Sequence, residues 1–334
     1  MTKIVECIPN FSEGRNASVL QALVDTASGV PGAQLLDWSA DASHNRSVLT
    51  LAGSPEAIAE AAFRLCQRAA ELIDLRQHQG AHPRMGATDV IPFVPVRETS
   101  MAECVALAQQ VGERIARELA IPVFLYEAAA SSPMRQDLAT VRAGQFEGLP
   151  DKLKDPAWAP DFGPQAPHPS AGATAVGARP PLIALNINLD TDRLEVAQSI
   201  ARTVRGSSGG YPHCKAIGLR LPDQGQVQVS MNLTDYQKMP IYRVFEAVRF
   251  EAARWGARII GSEIVGLAPA QALVESAAYF LQLEGFDYHT QVLEQVLEQR
   301  LDGPSDDPPD GLSDGHLDER PDGPLDTSNK EKPC

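Results

Sequence analysis

The chain has 334 residues, 43% of them hydrophobic and 22% charged, with a formal net charge of −14, which is room for two compact units with a core each. No run approaches the roughly 18 apolar residues of a bilayer-crossing helix, so no membrane-spanning helix is expected. No basic stripe is present to neutralise phosphates, which argues against a nucleic-acid partner.

Half of the net charge sits beyond Leu301, where ten acidic residues face three basic ones. A small anionic substrate stays open, since it needs only two or three local Arg or Lys groups. The N-terminus carries Glu6 inside its apolar stretch and has no hydrophobic leader, so no signal peptide is expected. Five cysteines (7, 66, 104, 214 and 334) are scattered without a CxxC pair, the pattern of reduced thiols in a cytoplasm.

In chain order, residues 3–8 predict a strand. Val19, Leu20, Leu23, Val24 and Ala27 then repeat at helical spacing up to Gly29. A strand over 34–37, a polar loop over 39–46 and a strand over 47–52 follow. Ser54-Pro55 starts a helix with proline at its first position. The run 90–96 reads as a strand, with Pro92 and Pro95 pointing to a sheet edge. Ser100 and Glu103 form a capping box that opens the next helix, and 123–126 is another strand. This order is that of a layered unit with helices on one sheet face and the other face free.

Between the helix at 54–72 and the strand at 90–96 lies His-Gln-Gly-Ala-His-Pro-Arg-Met-Gly-Ala-Thr-Asp (78–89). It gathers two imidazoles, a guanidinium and a carboxylate in a loop at the mouth of a sheet, where scaffolds carry chemistry. Histidine gives and takes a proton near neutrality. Gly80 and Gly86 let the backbone approach a ligand closely. His78 and His82 have the i, i+4 spacing of a zinc helix. However, Gln79 stands where a metalloprotease has Glu, and Gly80 and Pro83 oppose a helix. No metal is expected.

From 144 to 181 the pattern breaks into a long irregular segment, a functional loop or a linker, two readings that are compatible. A second unit begins with two strands of period two. Ile183, Leu185, Ile187 and Leu189 alternate with Asn186 and Asn188, and Val227, Val229, Met231 and Leu233 alternate with Gln228, Ser230 and Asn232. Neutral amides on one face suit a ligand's hydrogen bonds, or else a solvated sheet face. Between them stand a helix through Val204 and a glycine-rich loop at 205–215 that lacks P-loop spacing. Helices over 240–255 and 269–283, a strand over 259–265 and a last helix to Leu301 complete the unit. Residues 302–334 have the composition of a disordered acidic tail.

Together these stretches resemble the formiminotransferase family. The resemblance rests on Val-Glu-Cys-Ile-Pro-Asn-Phe-Ser-Glu-Gly (5–14), His-Asn-Arg (44–46), the loop 78–89 and Trp-Ala-Pro-Asp-Phe-Gly-Pro (158–164). Gly-Ala-Thr-Ala-Val-Gly-Ala-Arg (172–179), Asn-Ile-Asn-Leu (186–189) and Val-Ser-Met-Asn-Leu-Thr (229–234) extend it. It implies an α/β (α+β) fold of two subdomains, 1–180 and 181–301. Each is a sheet with helices on one face, and the open sheet faces enclose a substrate tunnel.

It also implies a homodimer, and transfer of a formimidoyl group from N-formimidoyl-L-glutamate to N5 of tetrahydrofolate, a co-substrate, with no tightly bound cofactor. The catalytic histidine falls on His82. The folate stretch falls on Gly163, Pro164, Gln165, Ala166, Pro167, His168, Pro169, Ser170, Ala171 and Gly172. Ser39 stands where animal enzymes have Asp, with Asp41 a possible replacement, and the cyclodeaminase domain of the animal enzymes is absent. Arg46, Arg84, Arg179 and Lys215 are candidate carboxylate clamps. Asn188 is a candidate for the pterin or amidine, and His78 a candidate orienting residue. Two other activities stay open: formyl transfer from N-formylglutamate, and folate binding without turnover.

Overall fold

The computed structural model describes residues 2–301 except 81 and 222–224; the acidic tail expected over 302–334 lies outside the described residues. Two compact units divide the chain at Tyr288, and the first contains both sheets.

The first sheet is built from β1 (Ile4–Cys7), β2 (Asn10–Phe11), β3 (Ala33–Asp41), β4 (Arg46–Gly53), β5 (Thr88–Arg97), β6 (Val123–Glu127) and β7 (Thr174–Ala178). β1 and β2 are two pieces of one line between β4 and β5, β3 edges β4, and β7 lies between β5 and β6. β5 is therefore an interior strand, not the edge its prolines suggest. The proline carbonyls still accept, and the missing donors fall at irregularities. Pro92 faces the break between β1 and β2, where Ile8 N–H donates to its carbonyl, and Pro95 pairs with Val5 at a register shift.

Helices α1 (Ala17–Ser28), α2 (Pro55–Leu72) and α3 (Met101–Leu119) cover one face. Their starts are local: Asn16 accepts from Ser18 and Val19, Ser54 accepts from Ala57, and Ser100 with Glu103 closes a capping box. Their apolar stripes bury Leu23, Ile58, Leu65 and Ile115 completely, each worth about 1.5–3 kcal/mol over exposure.

The opposite face is not free throughout. α4 (Leu138–Arg142) lies there, and the segment expected to be irregular from 144 onward folds into α5 (Gln145–Lys152) before it supplies β7. Val141, Leu149 and Leu153 pack there on Val90, Phe124 and Tyr126. Arg135 and Asp161, buried and 2.8 Å apart, brace this segment, and Asp161 also accepts from Leu125 N–H. The linker alternative does not hold for α5 and β7, which pack against and pair within the first sheet.

The second sheet runs β11 (Ile259–Val265), β8 (Ile183–Leu189), β10 (Gln226–Leu233), β9 (Cys214–Leu221), all antiparallel. The four apolar positions of β8 and of β10 are buried against α6 (Leu194–Val204) and α7 (Ile241–Arg254). Asn186, Asn188 and Ser230 stand half-buried on the other face. α8 (Ala270–Leu281) packs on α7. α9 (Tyr288–Gln291) and α10 (Leu293–Leu301) end the described chain.

Candidate functional site

The face of the first sheet left open by α4 and α5 floors a cavity of about 930 Å³, at the upper end for small-molecule sites. Its walls come from β1 to β5, from α4 and from Arg179. The second half of the chain contributes Ala184, Asn232, Asp235, Tyr236, Gln237 and the turn 265–269.

His82 and Arg46 lie on the floor of this cavity. β4 presents Arg46, whose Nη2 donates to Asn10 Oδ1 at 2.6 Å and whose Nη1 reaches Asp89 Oδ2 at 3.2 Å. Asp89, 1% exposed at the start of β5, accepts from Met85 N–H at 2.9 Å. It also faces Arg142 Nη2 of α4 at 2.7 Å. One buried carboxylate thus serves two guanidiniums.

His82 Nδ1 lies 2.8 Å from Arg46 Nη1 and 2.7 Å from the Pro83 carbonyl. With its proton on Nδ1 the ring donates to Pro83, and Nε2 holds the lone pair. With the proton on Nε2, Nδ1 accepts from Arg46. Among the described residues no hydrogen-bond partner engages Nε2, which leaves that nitrogen for a ligand. Burial, then the charges of Arg46 and Arg142, pushes His82 down to about 4, with Asp89 opposing. His44 stands edge-on, its ring 6.3 Å away.

The neighbouring histidine is occupied differently. His78 Nδ1 accepts from Arg84 Nε at 3.0 Å, so its Nε2–H donates to the Asn45 carbonyl at 2.9 Å. Arg84 is buried and forks onto Glu147 at 2.6 and 2.8 Å. Both join the central loop to its surroundings and neither lines the cavity. The loop's glycines serve the chain rather than a ligand. A Cβ at Gly80 would lie 2.3 Å from the His44 carbonyl oxygen, and one at Gly86 2.1 Å from that of Ala173. Among the described residues no three His, Cys, Asp or Glu side chains gather as a metal would require.

The other predicted residues divide. Arg179 lines the cavity opposite Glu6, whose carboxyl burial pushes up against the opposing charge of Arg179. Lys215 does not line it; its Nζ donates to Asp137, the N-cap of α4, at 2.7 Å. Asn188 accepts from Gln228 at 2.9 Å on the second sheet, outside this cavity. Asp41 pairs with the exposed His44 at 2.9 Å, while Ser39 and Asp37 of the same strand face the cavity.

Residues 163–172 lie beside the central loop instead of in the cavity wall. Ala87 N–H donates to Ala171, Ala173 N–H to Met85, and His168 Nδ1 accepts from Ala171 N–H. Sequence reasoning missed Asn10, Asp37 and Arg142. Only Asn10 stood in a recognisable motif, whereas Arg142 carries no local signal and is placed by packing alone.

A family model described as the formiminotransferase domain, N-terminal subdomain, matches residues 4–179, and one described as the formiminotransferase domain matches 184–298. Over 294 residues the chain is 58% identical to a glutamate formimidoyltransferase of Streptococcus pyogenes serotype M1, covering 88% of this chain and 98% of that one. It is 48% identical to a glutamate formimidoyltransferase of Thermoplasma acidophilum over 85% of this chain and 94% of that protein. With the formimidoyltransferase-cyclodeaminase of Rattus norvegicus it shares 46% identity, but covers 53% of that longer chain. With matches to both halves of the domain and to full-length relatives, the chain belongs to the formiminotransferase family.

Proposed function

We propose that this protein is a glutamate formimidoyltransferase, moving the formimidoyl group of N-formimidoyl-L-glutamate to N5 of tetrahydrofolate. The observation that carries this reading is His82 on the cavity floor with Nε2 open, in a chain 58% identical to a protein of that name. Nitrogen N5 attacks the amidine carbon and a tetrahedral intermediate forms. His82 Nε2 takes the proton from N5 and returns it to the glutamate nitrogen, which leaves as the amine. One imidazole in both roles contributes on the order of 10²–10⁴-fold. Arg46 holds the ring, and Arg179 is placed to meet a carboxylate.

Subdomains 1–180 and 181–301 meet between β7 and β8 in this reading. Folate binding by 163–172, as the resemblance implies, is supported by the way that segment brackets the central loop, and tetrahydrofolate serves as co-substrate without a tightly bound cofactor. A cytoplasmic homodimer fits the family resemblance and the four buried, unpaired cysteines among the described residues.

Steady-state turnover with N-formimidoyl- and N-formylglutamate tests the donor. The formimidoyl donor is expected to have the higher kcat/KM; preference for the formyl donor would replace this reading by formyl transfer, and turnover of neither by folate binding.

A further inference from the structure

Each nitrogen of the Arg46 guanidinium has a neighbour: Nε and Nη2 donate to Asn10, and Nη1 lies against Asp89 and His82. Arg142 is engaged less fully. Its side chain is 12% exposed. Although Nη2 lies close to Asp89, neither Nε nor Nη2 finds an acceptor in hydrogen-bond geometry. Among the described residues Asp89 is shared by two guanidiniums, Arg46 and Arg142, which leaves an excess of one positive charge at this wall of the cavity for an anion to offset.

The helix that carries it is held in place. Lys152 Nζ donates to the carbonyls of Thr140, Val141 and Ala143 at the C-terminal end of α4, and Lys215 pairs with its N-cap Asp137. Arg142 is thus presented to the cavity in advance of any ligand.

The chemistry of the two substrates selects the partner. In the donor, the α-carboxylate sits on the carbon that bears the transferred group's nitrogen, beside the reacting amidine. In folate, the carboxylates lie beyond the aminobenzoyl bridge, far from N5. Only the donor's α-carboxylate is near His82 when the amidine is. We propose that Arg142 binds the α-carboxylate of the amino-acid donor, making it a specificity residue that selects α-amino-acid donors over their decarboxylated analogues.

This rests on the transfer reaction proposed above, and it has a consequence for His82. The charged or titratable groups around that ring are Arg46 on β4, Arg142 on α4, Asp89 on β5 and His44 on the 42–45 turn, and the same cavity is lined by Glu6, Asp37, Tyr126, Arg179, Asp235 and Tyr236. Burial first, and then two cations, disfavour the charged ring; a carboxylate laid on Arg142 offsets one of those cations, so donor binding makes His82 a stronger base.

The test compares N-formimidoyl-L-glutamate with N-formimidoyl-γ-aminobutyrate, which lacks only the α-carboxylate, in the wild type and in Arg142→Gln. The wild type is expected to favour the glutamate donor by about 10- to 100-fold in kcat/KM, the span of a charge-assisted contact. Arg142→Gln should treat the two donors within about threefold, with the KM for tetrahydrofolate little changed. Full discrimination in a folded Arg142→Gln would overturn the proposal, whereas a wild type that turns over neither donor would overturn the transfer reading itself.

A second measurement needs no variant. NMR titration of the His82 ring should move to higher pH with L-glutamate present and less with γ-aminobutyrate. Equal movement with both, or none, would sink the assignment.

Discussion

At the scale of single residues, two histidines four positions apart have separate work because their partners differ. His78 is saturated by Arg84 and Asn45, whereas His82 keeps Nε2 open. His82→Ala should lower kcat by about 10²-fold or more with little change in folate affinity; His78→Ala should act mainly on stability, read by thermal melting. Near-normal turnover of the first and loss of turnover in the second would reverse the assignment.

The ring's depressed pKa, about 4 against the ordinary 6.5, also sets a sign. Between those values the unfolded chain binds the proton that the folded one refuses. The His82 contribution to stability is therefore whole above pH 6.5 and lost as pH falls to about 4. The kcat/KM acid limb should likewise lie near 4 instead of in the usual histidine range, and the His82→Ala profile should lack it. Asp89 is the other pivot. Asp89→Ala strands two buried guanidiniums and should cost about 3–5 kcal/mol in urea unfolding; a loss below 1 kcal/mol would mean that water screens them.

At the scale of elements, helix starts and strands with one buried face were legible, because their determinants are local. Asn16, Ser54 and the Ser100–Glu103 box lie within a turn of what they cap. Ser100→Ala should cost about 1 kcal/mol. β7 escaped detection because Thr174–Ala178 is buried on both faces and made of small residues, so period two never shows. β9 escaped because Gly218 interrupts its alternation, and that glycine is needed where α6 passes: a Cβ there would lie 2.4 Å from the Gln198 nitrogen. β3 runs on to Asp41 because β4 offers partners as far as Arg46, which a polar sequence does not reveal. Gly86→Ala meets unyielding backbone at Ala173 and should lose about 1–3 kcal/mol together with most activity; wild-type melting and turnover would show that the loop relaxes.

At the scale of the whole molecule, Lys215 illustrates how position changes meaning. Read as a substrate clamp in the sequence, it bridges the second sheet to the N-cap of α4 through a pair exposed on both sides, at 53% and 50%. Lys215→Ala should therefore change stability by no more than about 1 kcal/mol, and its effect on turnover should be small unless α4 shifts. Removal of the residues after Leu301 should leave turnover within about twofold, since so acidic and apolar-poor a stretch has little to bury; the family match ends at 298. A marked fall in melting temperature on truncation would show that it docks.

The sequence by itself determined the family, the helices with their caps, the two alternating strands of the second sheet and the loop that carries His82. Each of these is written in contiguous residues whose spacing has a direct physical consequence. Only the tertiary structure decided which polar side chains share a cavity. It brought Arg46, Asp89 and Arg142 together from three elements, committed Arg84 to Glu147 and Lys215 to Asp137, and turned Asn188 toward Gln228. An isolated charge in a sequence carries no record of its partner. That partner is chosen by burial and by the packing of distant segments, which is why the loop that carries His82 was legible and the cations around it were not.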